Sequence, residues 1–456
     1  MRRVVKVSRI RIIITIIVVV LTTLLTGCTG KEPNEIAYVV ALGIDSTDDD
    51  NYKITIQYAN TTQISGGASE SGGKAGSEIV DNVTIEAPNI YAGVGLANNI
   101  VSKSFSMSHA KLIVFSKEIA EKGVKDMIET LVRSEEIRPD VFIAVANTTA
   151  NDYLTSVNPE MEVNPAQYYQ LIYQKNQLVG IPDGQLREFF TGLYTDNYDS
   201  ILPIAGVIEG SGGNSQNDDK GQSKDSQNEG SEGSSESLDS FESKNSNEKD
   251  ENEKEKDAEK NTSKYEYDIK NYVGGETAIE KKNKAEAIGA AVFEKDKMVG
   301  ELGEVETEIC KMLKGDYTYS YLTYYNNDTP DIPITVKTTQ QKKPKYKIDT
   351  DKKTVDIELY IESDLYSLPA DYNVENKIED FERDVANYTS SACTEFINNF
   401  TKKYNSDILK LNEKIKYKFL TNNQYNWFKK NVGWSEYKFS VCTNFKVRRT
   451  GLIVRE

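Results

Sequence analysis

The segment Glu35-Ile-Ala-Tyr-Val-Val-Ala-Leu-Gly-Ile-Asp45 and, after an acidic turn, Tyr52-Lys-Ile-Thr-Ile-Gln57 set the architecture of the chain. Ile36, Tyr38, Val40, Leu42 and Ile44 alternate, as do Tyr52, Ile54, Ile56 and Tyr58, so the spacing predicts two strands, each with one apolar face, joined as a hairpin. A further strand is expected around Val83–Ile85 and a helix from near Pro88. Lys111–Phe115 and Val141–Ala146 read as buried strands. Between them Ser116 can cap a helix whose inner face carries Ile119, Ala120, Val124, Met127, Ile128 and Leu131. Strands alternating with helices predict an α/β fold of mixed sheets layered with helices.

Short helices and the strand Ile201–Ile208 follow. Residues 211–263 then hold 15 acidic and 7 basic side chains among Ser, Gly, Asn and Gln. So little apolar surface cannot offset an ordering cost of about 1–2 kcal/mol per residue, and disorder is expected there. Order returns with a hairpin, Ile288–Phe293 and Met298–Leu302, and a helix over Glu304–Leu313. The acidic stretch therefore falls between two strands that can share one sheet. In the last third, Val355, Ile357, Leu359 and Ile361 alternate along a strand. A helix over 378–404 carries the stripe Phe381, Val385, Tyr388, Ala392, Phe396, Phe400 and Tyr404. Trp427 and Trp434 bracket a short helical stretch, and a last strand sets Tyr437, Phe439, Val441, Thr443, Phe445 and Val447 against Lys438, Lys446 and Arg448. The expected units are a leader over 1–27, then 28–149, 150–318 with the acidic insert 211–263, and 319–456 with the long helix.

The leader has Arg2, Arg3, Lys6, Arg9 and Arg11, an apolar run from Ile12 to Leu25, and no acidic residue before Cys28. This is the pattern of a secretory signal, and the run is shorter than the roughly 20 residues a membrane-spanning helix needs. Leu25-Thr26-Gly27-Cys28 resembles the lipobox of bacterial lipoproteins, which implies a diacylglyceryl group on the Cys28 sulfur and Cys28 as the new N-terminus. The expected product is an extracytoplasmic lipoprotein on the outer face of a membrane.

The 456-residue chain has a formal net charge of −16, and without residues 1–27 it stands at −21. That balance argues against nucleic acid as a partner and against flat electrostatic adhesion to anionic lipid, leaving attachment to the lipid anchor. Cys310, Cys393 and Cys442 match no zinc spacing; Cys442 falls on the polar side of its strand and is expected as a free thiol. His109 is the one histidine, so any Ser-His-Asp, Cys-His or His-containing metal site would need it. Its place before an apolar strand reads as structural. Gly93-x-Gly95 lacks the third Gly of a dinucleotide loop, and Asp45–Asp50 lacks the Gly and terminal Glu of an EF-hand. Arg133–Arg138 reads as a solvated charge cluster at a helix end. No catalytic, cofactor-binding or metal-ligating set emerges, so no cofactor and no enzyme activity are expected. Tyrosine is over-used, 27 against 14 Phe and 2 Trp, which fits either a partner surface or the cover of a sheet.

The order of these features resembles the Ger(x)C family, the lipoprotein C subunits of nutrient germinant receptors in bacterial spores. The resemblance is carried by Glu35–Asp45 with Tyr52–Gln57, His109-Ala-Lys-Leu-Ile-Val-Phe115, Arg133-Ser-Glu-Glu-Ile-Arg138, Ala290-Ala-Val-Phe-Glu-Lys-Asp-Lys-Met-Val-Gly300 and Val447-Arg-Arg-Thr-Gly451, with the lipobox first. It implies a three-domain α/β lipoprotein on the outer face of the spore inner membrane. It implies a non-enzymatic subunit required for nutrient-triggered germination, working with membrane-integral A and B subunits. Only Cys28 carries over as a site residue, and no nutrient-contact residue is assigned. Two other readings stay open: a solute-binding lipoprotein that feeds a transporter, with two lobes and a cleft, and a hydrolase acting on the cell wall.

Overall fold

The computed structural model describes residues 13–18, 35–49, 51–59, 80–159, 162, 165–174, 180–195, 197–208, 271–277, 283–325, 333–367, 377–404 and 406–450. Cys28, the lipobox and the acidic stretch 211–263 lie outside the described residues. Those described form mixed α/β layers around two sheets.

The first sheet has nine strands. In chain order they are β1 (Ile36–Ser46), β2 (Tyr52–Ala59), β3 (Val80–Ala87), β4 (Ser104–Ser106), β5 (Leu112–Ser116), β6 (Phe142–Ala146), β7 (Ile201–Val207), β8 (Ala285–Glu294) and β9 (Lys297–Leu302). The spatial order is β3-β2-β1-β5-β6-β7-β8-β9, with β4 beside the start of β1. The centre, β1-β5-β6-β7, is parallel; both flanks are antiparallel. The strands either side of the acidic stretch, β7 and β8, are antiparallel neighbours in this sheet. The sheet also runs straight through the boundary expected at 149/150.

Helices cover both faces, as a parallel centre requires. One face buries Leu42, Ile44, Ile54, Phe115 and Phe293 under the helices Ile90–Ala97, Lys117–Lys122, Lys125–Val132 and Leu186–Thr195. The other buries Val40, Ala41, Val114 and Ala144 under Ala150–Ser156 and Pro165–Gln174, whose Tyr153, Tyr168, Tyr169 and Tyr173 all lie inside. These tyrosines pair their hydroxyls internally. Tyr153 OH and Tyr173 OH lie 2.9 Å apart, Tyr169 OH donates to Gln57 Oε1 at 2.6 Å, and Gln57 Nε2 donates to Leu154 O at 2.9 Å. The excess of tyrosine is thus in part the cover of a sheet.

Two details depart from the expected pattern. A register shift between Val39 and Ala41 turns β1 over, so Ile36 and Tyr38 do not share a face with Leu42 and Ile44. The extra residue is how a bulge breaks a period of two. The helix expected after Ser116 is two helices. Ser116 Oγ accepts from Ile119 N at 3.4 Å, but Gly123 at φ 124° ends the first, and Val124 N donates instead to Asp296 O at 3.0 Å.

The second sheet has five strands: β10 (Tyr319–Tyr325), β11 (Pro333–Gln340), β12 (Lys345–Asp349), β13 (Thr354–Ser367) and β14 (Lys438–Arg449). β13 pairs with β11 and β12 on one side and with β14, in parallel, on the other. Trp427 falls inside the helix Asn422–Asn431, not at its edge. The long helix Ile378–Lys403 packs its stripe on this sheet and also serves the outer edge of β14. Val447 N, Thr443 N, Val441 N and Phe439 N donate to Glu382 Oε1, Ser390 Oγ, Thr394 Oγ1 and Asn398 Oδ1 at 2.8, 2.9, 3.0 and 3.1 Å. Four helical residues rise about 6 Å and two strand residues about 6.7 Å, so a helix stripe spaced by four can follow every second amide. The pairing guards an edge that would otherwise invite another chain.

Candidate functional site

The sheets meet along the helix Glu304–Lys314. Its Cys310 and Leu313 lie in one apolar cluster with Ile201, Ala290, Val292 and Leu302 of the first sheet and Val355, Ile357 and Leu359 of the second. A single core therefore crosses the seam, and two clefts open beside it.

The first cleft, about 640 Å³, is walled by Asp183, Glu188, Lys311, Lys314, Asp316 and Lys410. Lys311 Nζ donates to Ile181 O at 2.9 Å, and burial pulls its ammonium down to about 8. Lys410 Nζ meets Glu188 Oε1 at 2.5 Å and sits 4.2 Å from the centre of the Tyr198 ring. Lys314 Nζ lies 3.8 Å from Asp316 Oδ2. Burial raises the Asp183 carboxyl. Cations and carboxylates alternate here and largely answer one another.

The second cleft, about 610 Å³, has Asp199, Lys295, Ser406, Asp407 and Trp434 in its wall. Its carboxylates act as clips. Asp199 accepts from Lys295 N (2.8 Å) and Asp407 N (2.9 Å). Asp407 accepts from Leu411 N and Asn412 N, both at 2.8 Å, the first two amides of the short helix Leu411–Ile415. Ser406 Oγ donates to Phe293 O at 2.9 Å. These bonds tie the β8–β9 turn to the chain leaving the long helix.

Burial pushes Asp407 up to about 7, helped by the neighbouring Asp199 and opposed by its two backbone donors. A carboxyl raised on folding holds its proton in the native state where the unfolded chain has released it. Its contribution to stability is thus present below pH 4 and lost as pH rises to about 7. We expect urea unfolding at pH 5 and pH 7.5 to differ by on the order of 2–4 kcal/mol more in the wild type than in Asp407→Asn. An equal difference in both proteins would refute the assignment.

The residues singled out from sequence are scattered. His109 is exposed, its ring edge-on to Tyr38 at 4.8 Å between centroids and its Nδ1 3.1 Å from Ser108 Oγ. Gly93 is a packing glycine, since a Cβ there would sit 2.6 Å from Ile54 Cδ1. Asp45 accepts from Ala150 N at 2.6 Å and Asn151 N at 3.0 Å, holding a helix start in place. In the Arg133–Arg138 cluster, Arg133 pairs with Glu129 at 3.1 Å, Arg138 with Asp140 at 3.2 Å, and Glu136 takes Met107 N at 2.7 Å. Cys310 and Cys393 are buried and Cys442 is exposed, all three as free thiols. Among the described residues no group of three or more His, Cys, Asp or Glu is arranged to hold a metal ion. Sequence reasoning missed Asp199 and Asp407. The one signal was Ser406-Asp407 shortly before a helical pattern, a combination that suits a helix start.

The family model described as Spore germination protein N-terminal domain matches residues 30–207, and that described as Spore germination B3/ GerAC like, C-terminal matches residues 288–451. Together they bracket the acidic stretch and leave it unmatched. Spore germination protein KC of Bacillus subtilis (strain 168) is 26% identical over 174 residues, 35% of this chain and 42% of that protein. The putative spore germination protein YfkR of the same organism is 28% identical over 145 residues, 32% of this chain and 37% of that protein. Spore germination protein GerQC of Bacillus cereus is 27% identical over 104 residues, 23% and 29% of the two chains. The matched segments thus span about two-fifths or less of the curated relatives' length. A crystal structure of the GerBC protein overlays on 89% of this chain and 96% of its own, with 15% identity and a TM-score of 0.47. With both halves matched in order, the chain belongs to the Ger(x)C family of spore germination proteins.

Proposed function

We propose that the chain is a lipid-anchored, non-catalytic subunit of a nutrient germinant receptor. It is held by Cys28 on the outer face of the spore inner membrane and works through contacts with membrane-integral A and B subunits. The observation that carries this reading is the ordered match of both spore-germination models, over residues 30–207 and 288–451. The lipobox at Leu25–Cys28 supports the anchor. Among the described residues no helix is long and apolar enough to cross a membrane. The reading without chemistry is supported by where the charged groups of the two clefts spend themselves: Asp199 and Asp407 on backbone amides, Glu188 and Lys410 on each other.

A solute-binding lipoprotein needs two lobes that part and close, each with its own core. Here Val292 and Leu359 share one cluster, so opening the seam would expose core to water at about 25 cal/mol per Å². That weighs against the transporter-fed reading. Deletion of the gene is expected to abolish nutrient-triggered germination while vegetative growth continues. Normal nutrient germination in a deletion strain with no related copy would reject the proposal.

A further inference from the structure

We propose that residues 410–430 form a second membrane contact, docking on an anionic lipid surface. In a chain of net charge −16 this segment carries six lysines against one carboxylate, Glu413; Lys410 is spent on Glu188, Lys414 and Lys429 are half-buried, and Lys416, Lys418 and Lys430 face solvent. Around those lysines Tyr417 is 81% exposed, Leu420 93% and Trp427 64%. The exposure is enforced from within. Thr421 Oγ1 caps the helix Asn422–Asn431 by accepting from Gln424 N, and Tyr425 and Phe428 bury the opposite face. Phe419 packs on Phe428 at 5.1 Å and on Tyr425 at 5.7 Å, which leaves Leu420 outward. Leu420 and Trp427 are at most about 15 Å apart along the chain.

The chemistry fits lipid. Trp and Tyr rings settle at the headgroup level, lysine stems lie along apolar surface with the ammonium in water, and basic groups are drawn to anionic headgroups. Lys416, Lys418 and Lys430 are exposed, and the intervening Thr421, Asn422, Asn423 and Gln424 are uncharged. Lys418 Nζ bonds Ile348 O, and Asp349 lies near it. A protein interface would deplete charge at its apolar centre, whereas here lysines and apolar residues interleave. The inference takes only its setting from the function proposed above. The global charge that argued against electrostatic adhesion averages over this local exception.

The molecule holds two tryptophans, and Trp434 is buried against Phe428 and Tyr437, so Trp427 is a built-in reporter. Full-length chain is reconstituted on phosphatidylcholine vesicles with and without phosphatidylglycerol. On the anionic vesicles we expect a blue-shifted emission, quenching by brominated acyl chains, and iodide access to Trp427 about twofold lower or less. Leu420→Glu with Lys416→Glu should return the water-exposed emission with unchanged circular dichroism, and Trp427→Phe should remove the signal. Equal iodide access on both vesicle types would overturn the proposal. So would a signal that survives in Trp427→Phe. The leader or a lipid tethers the chain in every arm, so failure of the Cys28 assignment would leave this readout standing.

Discussion

Gly206→Ala is expected to destabilise the fold by about 3 kcal/mol or more, far beyond what one added methyl costs at an open site. Gly206 lies buried in β7, and a Cβ there would stand 2.1 Å from Gly275 N and 2.3 Å from Gly274 C. Those are backbone atoms of the segment that re-enters the sheet after the acidic stretch, and they are held. Asn147 Nδ2 donates to Gly274 O at 2.7 Å, Gly274 N donates to Ile288 O at 3.1 Å, and Gly275 N donates to Glu286. The methyl must therefore push the turn at Gly274 and Gly275 away from β7 or break that set of bonds. Gly95→Ala makes the same chemical change on an exposed turn of helix with nothing within 4 Å, and should stabilise by roughly 0.5–1 kcal/mol. Paired urea denaturation decides it: a Gly206→Ala protein as stable as Gly95→Ala would show that the two glycines opposite can yield.

Most of the first sheet was legible because its strands are apolar on both faces, as Leu112–Ser116 and Phe142–Ala146 are in the structure. A buried strand announces itself by composition even where its alternation fails. The bulge in β1 was not legible, since Val39-Val40-Ala41 offers no glycine or polar residue to mark the extra position. The break at Gly123 left a trace in sequence, but what decides it is Asp296, more than 170 residues away. β11 and β12 went unread because Thr338, Thr339, Gln340, Lys345 and Lys347 dilute the apolar period. Their strands exist because β13, with Val355, Ile357, Leu359 and Ile361 buried, supplies a template on which to pair. The alternation of the last strand is legible from Lys438 to Lys446: Phe439, Val441, Thr443 and Phe445 are buried while Lys438, Cys442 and Lys446 are exposed, and Tyr437 lies just before the strand.

The clefts were not legible at all. Asp199 and Asp407 are 208 residues apart in sequence and meet only because the hairpin β8–β9 and the long helix end at the same place. The lysine-rich segment over 410–430 was visible as letters, but Phe419 pointing inward and Leu420 outward follows from packing alone.

Cys28→Ala carries the other large effect. If the Cys28 sulfur receives a diacylglyceryl group, each buried CH₂ contributes about 0.8 kcal/mol to attachment, and two chains make it stable where one is marginal. Without the thiol there is no atom to acylate. Lipid labelling should fall to background, an unprocessed precursor should accumulate, and nutrient germination should fail as in a deletion strain. Labelling that persists in Cys28→Ala would contradict the assignment, whatever happens to germination.

The most direct test of the whole account is to isolate the native chain from spore inner membranes in mild detergent and identify what comes with it. The account predicts a mature N-terminus at an acylated Cys28 and stoichiometric recovery of integral membrane proteins of the germinant receptor. A chain recovered alone, with an intact leader and an unmodified thiol, would contradict it.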